Sequence, residues 1–211
     1  MGKVISFANF QNSSGKTTFI IETAKTLQRS GKTSILIDFD PKGDLSREFG
    51  ISQRDSILQI ISRQKDFHDV IQKTEFENTL LLPSSLKLAK TTNEDLKGIN
   101  EIISYLNGKF DYIMIDTPPY SLPILSKTLE ISERVISPVV FNKLTLYKTE
   151  KFLNFATNEK VKLVPNKYSD YDIPFFANML KDHKELFIEK NSHFVKIDEN
   201  FRGDWLTLID F

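Results

Sequence analysis

The chain has 211 residues, with 28 basic and 28 acidic side chains and a formal net charge of zero. At roughly 100–200 residues per domain this is one domain, and the balanced charge excludes a protein held on nucleic acid by bulk charge, leaving only a local basic patch. No cysteine is present, which excludes disulfides, thiolate metal sites, iron–sulfur clusters and cysteine nucleophiles, and fits a cytosolic address.

The first residues carry one lysine, Lys3, a short mixed apolar run and no cleavage site, so residues 4–8 read as a buried first strand, not a signal peptide. Gly2 followed by Ser6 nominally fits an acylation pattern. Residues 17–29 place Ile20, Ile21, Ala24 and Leu27 at helical spacing, and Ser30-Gly31 closes that helix. Residues 34–37 form a second apolar run, Ile57–Ile61 and residues 67–71 short helical pieces, and Thr79–Leu82 a third run ended by Pro83. Residues 96–106 are helical, with Ile99, Ile102, Ile103 and Leu106 on one face. Residues 112–115 form a fourth run and 134–140 a fifth, followed by a helix through Leu146, Phe152 and Phe155, and 161–164 form a sixth ended by Pro165.

This alternation predicts an α/β fold, a mainly parallel twisted sheet with helices on both faces, whose ligands bind at the carboxyl ends of the strands. No apolar stretch approaches 18 residues, so no membrane span is expected. One domain over residues 1–211 is expected, with residues from about 186 to 211 a tail of unassigned role. Within it, residues 194–197 read as a last strand, and residues 205–209, flanked by Asp204 and Asp210, as a segment packing on the body or on a partner.

Three loops carry chemistry. After the first strand come Gln11, Asn12, Ser13, Ser14, Gly15, Lys16, Thr17 and Thr18. Gly-Lys-Thr opening a helix is the layout of a phosphate loop: backbone amides face phosphates, the lysine reaches them and the threonine hydroxyl ligates Mg²⁺. The full pattern asks for glycine where Phe10 stands. Asp38 and Asp40 close the second strand beside that loop, with Pro41 and Gly43 fixing a turn. Carboxylates there orient Mg²⁺ or the attacking water. Asp116, after four apolar residues, has the Walker B arrangement.

On these residues the sequence resembles the ParA/Soj/MinD family of deviant Walker ATPases, closest to ParA-type partition proteins. The resemblance rests on Ala8-Asn9 with Gly15-Lys16-Thr17-Thr18, on residues 36–46 and on residues 111–119, and covers about residues 1–185. Weaker echoes are Leu82-Pro83-Ser84-Ser85, residues 135–140 and Asn166-Lys167. The resemblance implies a P-loop nucleotide-binding domain using ATP and Mg²⁺. Lys16 would bind phosphate, Thr17 would ligate the cation, Asp40 would place the hydrolytic water, Asp116 would support the Mg²⁺ shell and Asp38 would shape the switch and its cation site. Asn166 stands where the family bonds the adenine base, or is a turn residue after Pro165. The family forms an ATP-bound homodimer, binds DNA without sequence preference and is released by a centromere-binding, ParB-type partner.

The chain departs from the family at its signature lysine, which reaches across the dimer and is here Gln11, and at two glycines, here Asn12 and Ser13. Glutamine brings no charge, and Ser13 tolerates positive φ less well than Asn12. Nucleotide binding is therefore expected with weak hydrolysis. The alternative is a nucleotide-binding interaction module with little or no turnover; a ligase or synthetase on the same fold is a third reading. A basic patch of Lys181, Lys184, Lys190, Lys196 and Arg202 is diluted by Asp182, Glu185, Glu189, Asp198 and Glu199. His68, His183 and His193 have no ligand-like spacing.

Overall fold

Apolar runs with large side chains on both faces become strands covered from both sides. The computed structural model describes residues 2–140, 143–156 and 161–166. In chain order, β1 (Lys3–Phe7) leads to α1 (Lys16–Arg29), and β2 (Ser34–Asp38) to the short helices α2 (Asp44–Glu48), α3 (Ile57–Ile61) and α4 (Phe67–Val70). Then come β3 (Gln72–Lys73), β4 (Thr79–Leu82), a 3-10 turn (Leu86–Lys90), α5 (Ile99–Leu106), β5 (Tyr112–Asp116) and α6 (Leu122–Ile131). β6 (Arg134–Val139), α7 (Lys143–Ala156) and β7 (Val161–Pro165) complete the described residues.

The seven strands lie in the order β3-β4-β2-β5-β1-β6-β7. Every pairing is parallel except β3 with β4. The six apolar runs read from the sequence are all strands of this sheet. The two-residue polar strand β3 and the helix α6 were not legible there. The helix read over 96–106 begins at Ile99, and Leu96 packs in the preceding turn. The expected tail elements and the patch from Lys181 to Arg202 lie outside the described residues.

Alternation along β5 divides the core. Ile113 and Ile115 join Val4, Ile35 and Ile37 under Ile99, Ile102, Ile103 and Leu106 of α5. Met114 joins Ile5, Phe7 and Leu36 under Phe19, Ile20, Ala24 and Leu27 of α1. A third cluster packs Leu125, Leu129 and Phe152 on Val135, Val139 and Leu163. Fully burying each such side chain contributes about 1.5–3 kcal/mol, so the sheet is a rigid platform for the loops at its carboxyl edge.

Register sets what those loops can do. Asp38 pairs with Asp116 across β2 and β5, and Phe7 pairs with Asp116 across β1 and β5. Both aspartates and the exit of β1 therefore stand at one level of the sheet edge. At the opposite edge of the sheet, α1 closes at Gly31, which has φ 68 and donates its amide to the Gln28 carbonyl.

Candidate nucleotide site

Asn9, the second residue after β1, organises the loop and is wholly buried. Its amide nitrogen donates to Ser14 Oγ at 2.8 Å and to the Pro138 carbonyl at 2.6 Å. Its Oδ1 accepts from the Gln11 amide at 3.0 Å and from Lys16 Nζ at 3.1 Å. Two donor and two acceptor contacts satisfy the side chain and fix the loop to β6. The resemblance placed Asn9 in its opening motif but gave it no role of its own, because a buried asparagine in a loop has no periodic signal.

The loop turns twice through positive φ, at Ser13 (53°) and Gly15 (99°). Only Gly15 is glycine, so Ser13 is held in a region that costs an ordinary residue about 1–2 kcal/mol. Asn12 keeps negative φ. A Cβ on Gly15 would stand 2.3 Å from Asn166 Nδ2. That nitrogen donates to the Ser14 carbonyl at 2.7 Å. Asn166 thus braces the loop from behind.

Lys16 is 7% exposed, and besides Asn9 it donates to the Gln11 carbonyl at 2.9 Å. Burial holds its ammonium below the ordinary lysine value, against the pull of Asp116 and Asp40. Thr17 Oγ1 donates to Asp116 Oδ2 at 2.7 Å. Asp116 Oδ1 is buried and, among the described residues, has no hydrogen-bond partner. Desolvation first, and the Asp38 charge second, push the Asp116 carboxyl up to about 8. Desolvation likewise raises Asp38 to about 7. Its Oδ2 takes the Ser46 amide and hydroxyl at 2.9 and 2.6 Å, and its Oδ1 takes the Asp40 amide at 3.1 Å. Asp38 thus ties down the turn that runs from Asp40 to Ser46.

These loops line a cleft of about 470 Å³ with residues from Asn12 to Thr18, Asp40, Lys42 and Pro119 on its walls. The sequence-predicted residues Asn12, Ser13, Ser14, Gly15, Lys16, Thr17, Thr18 and Asp40 thus come together there, with Asp38, Asp116 and Asn166 directly behind. Gln11 does not join them. Its side chain is 1% exposed and turned into its own chain. Nε2 donates to the Thr145 carbonyl at 3.0 Å and to Thr149 Oγ1 at 2.7 Å, and Oε1 accepts the Val140 amide at 3.3 Å. Only its backbone carbonyl serves the site, by holding Lys16.

Sequence reading also missed the rim. Tyr120 is 60% exposed, and its hydroxyl accepts from Asn12 Nδ2 at 3.0 Å and lies 3.4 Å from Lys148 Nζ. Nothing at position 120 announces this, because its partners are 108 and 28 residues away.

The residues present fit a nucleoside triphosphate with a divalent cation. The unpartnered Asp116 oxygen sits beside the Thr17 hydroxyl, and turns of this kind form anion-binding concavities. Among the described residues no cluster of three or more His, Asp or Glu side chains could hold a metal alone. A cation held here would draw its further ligands from phosphate oxygens and water, as Mg²⁺ commonly does.

A family described as an AAA domain matches residues 2–168. The sporulation initiation inhibitor protein Soj of Bacillus subtilis is 30% identical over 164 residues, which is 73% of this chain and 64% of that protein. The chain spans about half to two thirds of the length of the curated relatives it matches. A plasmid partition protein from Borrelia burgdorferi has the same fold, with TM-score 0.76 at 23% identity over 99% of this chain and 95% of that one. So does a cobyrinic acid a,c-diamide synthase from Mycobacterium smegmatis, solved with ADP and magnesium, with TM-score 0.75 at 23% identity over 88% and 82% of the two chains.

Proposed function

The chain belongs to the AAA domain family, among its ParA and Soj proteins, and on that footing we propose that it is an ATP- and Mg²⁺-dependent switch for DNA partitioning. ATP binding drives it to a homodimer that holds DNA without sequence preference, and a centromere-binding, ParB-type partner stimulates its hydrolysis. The observation that carries the nucleotide half is the paired arrangement of Thr17 with the buried, half-satisfied Asp116 beside Lys16.

When bound, Mg·ATP supplies a terminal phosphoryl group that can pass to water. Lys16 would exchange its contacts with Asn9 and the Gln11 carbonyl for phosphate oxygens. Thr17 would offer its hydroxyl oxygen to the cation, and Asp116 would support the cation beside it. Asp40, on the cleft wall, would orient the attacking water. Asn166 is the residue nearest the loop for a base contact, through the amide that now holds the Ser14 carbonyl.

Titration of a fluorescent ATP analogue tests this. Micromolar affinity that requires Mg²⁺ and that Lys16→Ala abolishes is expected. Affinity indifferent to both would remove the reading.

The inward turn of Gln11 favours a second reading, in which the chain binds nucleotide and a partner but turns over little or nothing. No charge at position 11 faces outward to stabilise a transition state, and loss of such a charge can cost on the order of 10³-fold in rate. Turnover that stays at the uncatalysed level with DNA and partner present distinguishes it.

A further inference from the structure

A second cleft opens outside the carboxyl end of β4, about 460 Å³ in volume, between the segment before α3 and the 3-10 turn. Arg54, Lys87 and Lys90 stand around it, and among the described residues the one acidic wall residue is Asp95. All three cations are exposed and none forms an ion pair with a described residue. Asp95 is already engaged, its Oδ2 accepting from the Thr92 amide and hydroxyl, both at 2.8 Å. The adjoining cleft is the opposite: Arg63 and Lys97 there are paired with Glu101 and Glu94 at 2.9 and 2.5 Å.

The rest of the wall is amides and hydroxyls, among them Gln53, Gln59, Gln64, Ser62, Ser85 and Thr91. Among the described residues it carries no aromatic platform for a base and one apolar residue, Leu58. Arginine, lysine, glutamine, serine and threonine are the side chains that contact phosphate and sugar without reading sequence. The cleft is also wired to the nucleotide loop. Gln53 Nε2 donates to the Gly43 carbonyl at 3.1 Å, and the hydroxyl of Ser84, next to Ser85, donates to the Asp40 carbonyl.

We propose that this cleft grips the phosphodiester backbone of DNA, with Arg54, Lys87 and Lys90 as the neutralising charges and Gln53 as the link to the nucleotide-sensing turn. This rests on the partition reading and adds to it a place for the DNA, on a patch that a net charge of zero conceals.

The test is duplex DNA binding by the full chain, with Mg²⁺ and a non-hydrolysable ATP analogue, followed by anisotropy across a salt series. Arg54→Ala/Lys87→Ala/Lys90→Ala is compared with Arg29→Ala/Lys32→Ala/Lys109→Ala, which removes the same charge from the opposite edge. Each phosphate contact contributes about 0.9 to the log–log salt slope. The cleft variant should therefore lose about 2.7 of slope and at least tenfold in affinity, keep wild-type affinity for the ATP analogue, and leave the control near wild type. A cleft variant that binds DNA as wild type overturns the proposal while the partition reading stands. So does equal weakening by the control, which would mean bulk charge, or retention on anionic vesicles but not on duplex. A wild-type chain that dimerises on the analogue yet binds no duplex at any salt removes the partition reading and the proposal with it.

Discussion

Gln11 Nε2 lies 2.7 Å from Thr149 Oγ1, a bond that fastens the phosphate loop to α7 of the same chain. Thr149 is 1% exposed and its hydroxyl in turn donates to the Thr145 carbonyl at 2.8 Å. Replacing Thr149 by valine keeps the shape and strands a buried amide proton, which costs about 1–3 kcal/mol. At about 2–4 °C per kcal/mol for a chain of this size, Thr149→Val should lower Tm by several degrees. It should also weaken ATP analogue binding, because Gln11 holds Lys16 through its carbonyl. Unchanged thermal denaturation would mean that the bond contributes nothing.

Ser13 occupies φ 53 without being glycine. Relief of that conformation outweighs the extra freedom glycine gives the unfolded chain, by a balance of about 0.5–1 kcal/mol. Ser13→Gly should raise Tm by about 1–4 °C, read by calorimetry. A fall in Tm would place the strain elsewhere.

Gly15 is the reverse case. Alanine there meets Asn166 Nδ2 at 2.3 Å in a φ of 99°. Gly15→Ala should cost about 1–3 kcal/mol and abolish nucleotide binding by shifting the loop. The double variant Gly15→Ala/Asn166→Ala should recover part of the stability, since the clash then has no partner. Additive losses in a double-mutant cycle would contradict the contact.

Asp38 and Asp116 make stability depend on pH. The folded chain keeps protons on them up to about 7 and about 8, whereas their ordinary value is 3.8. The folded state therefore binds more protons between those limits, and stability falls as pH rises from about 4 to about 8. Asp116→Asn should flatten that decline in nucleotide-free protein, with a gain of about 1–2 kcal/mol at pH 8 and none at pH 4. The same variant should lose the Mg²⁺ dependence of ATP analogue binding. A pH profile of Tm that Asp116→Asn leaves unchanged would count against the buried carboxylate.

The sheet was legible because its strands announce themselves. Residues 34–37 and 112–115 are apolar on both faces, which only a doubly covered strand requires. Gln72–Lys73 has no such signature and joins the sheet only by pairing with Leu80 and Leu81. Leu122–Ile131 was given no element in the sequence reading, and it carries Pro123 near its start. Pro123 sits in the first turn after Ser121, where its missing amide proton costs nothing. The site divides the same way. Lys16, Thr17 and Asp116 follow from local order along the chain. The inward turn of Gln11 does not, because Thr149 is 138 residues away and nothing local to either residue encodes the bond. The expected part of Gln11 in nucleotide binding was therefore the reading most exposed to tertiary structure.

ATP should drive association through this loop without a lysine at position 11. The mass of Asp40→Ala in solution with Mg·ATP, measured by analytical ultracentrifugation, decides it. Removing Asp40 leaves Lys16, Thr17 and Asp116 in place and takes away the group proposed to place water, so the ATP state should accumulate. A monomer without nucleotide and a dimer with Mg·ATP are expected at micromolar protein. A chain that stays monomeric with ATP demonstrably bound would rule out an ATP-driven dimer.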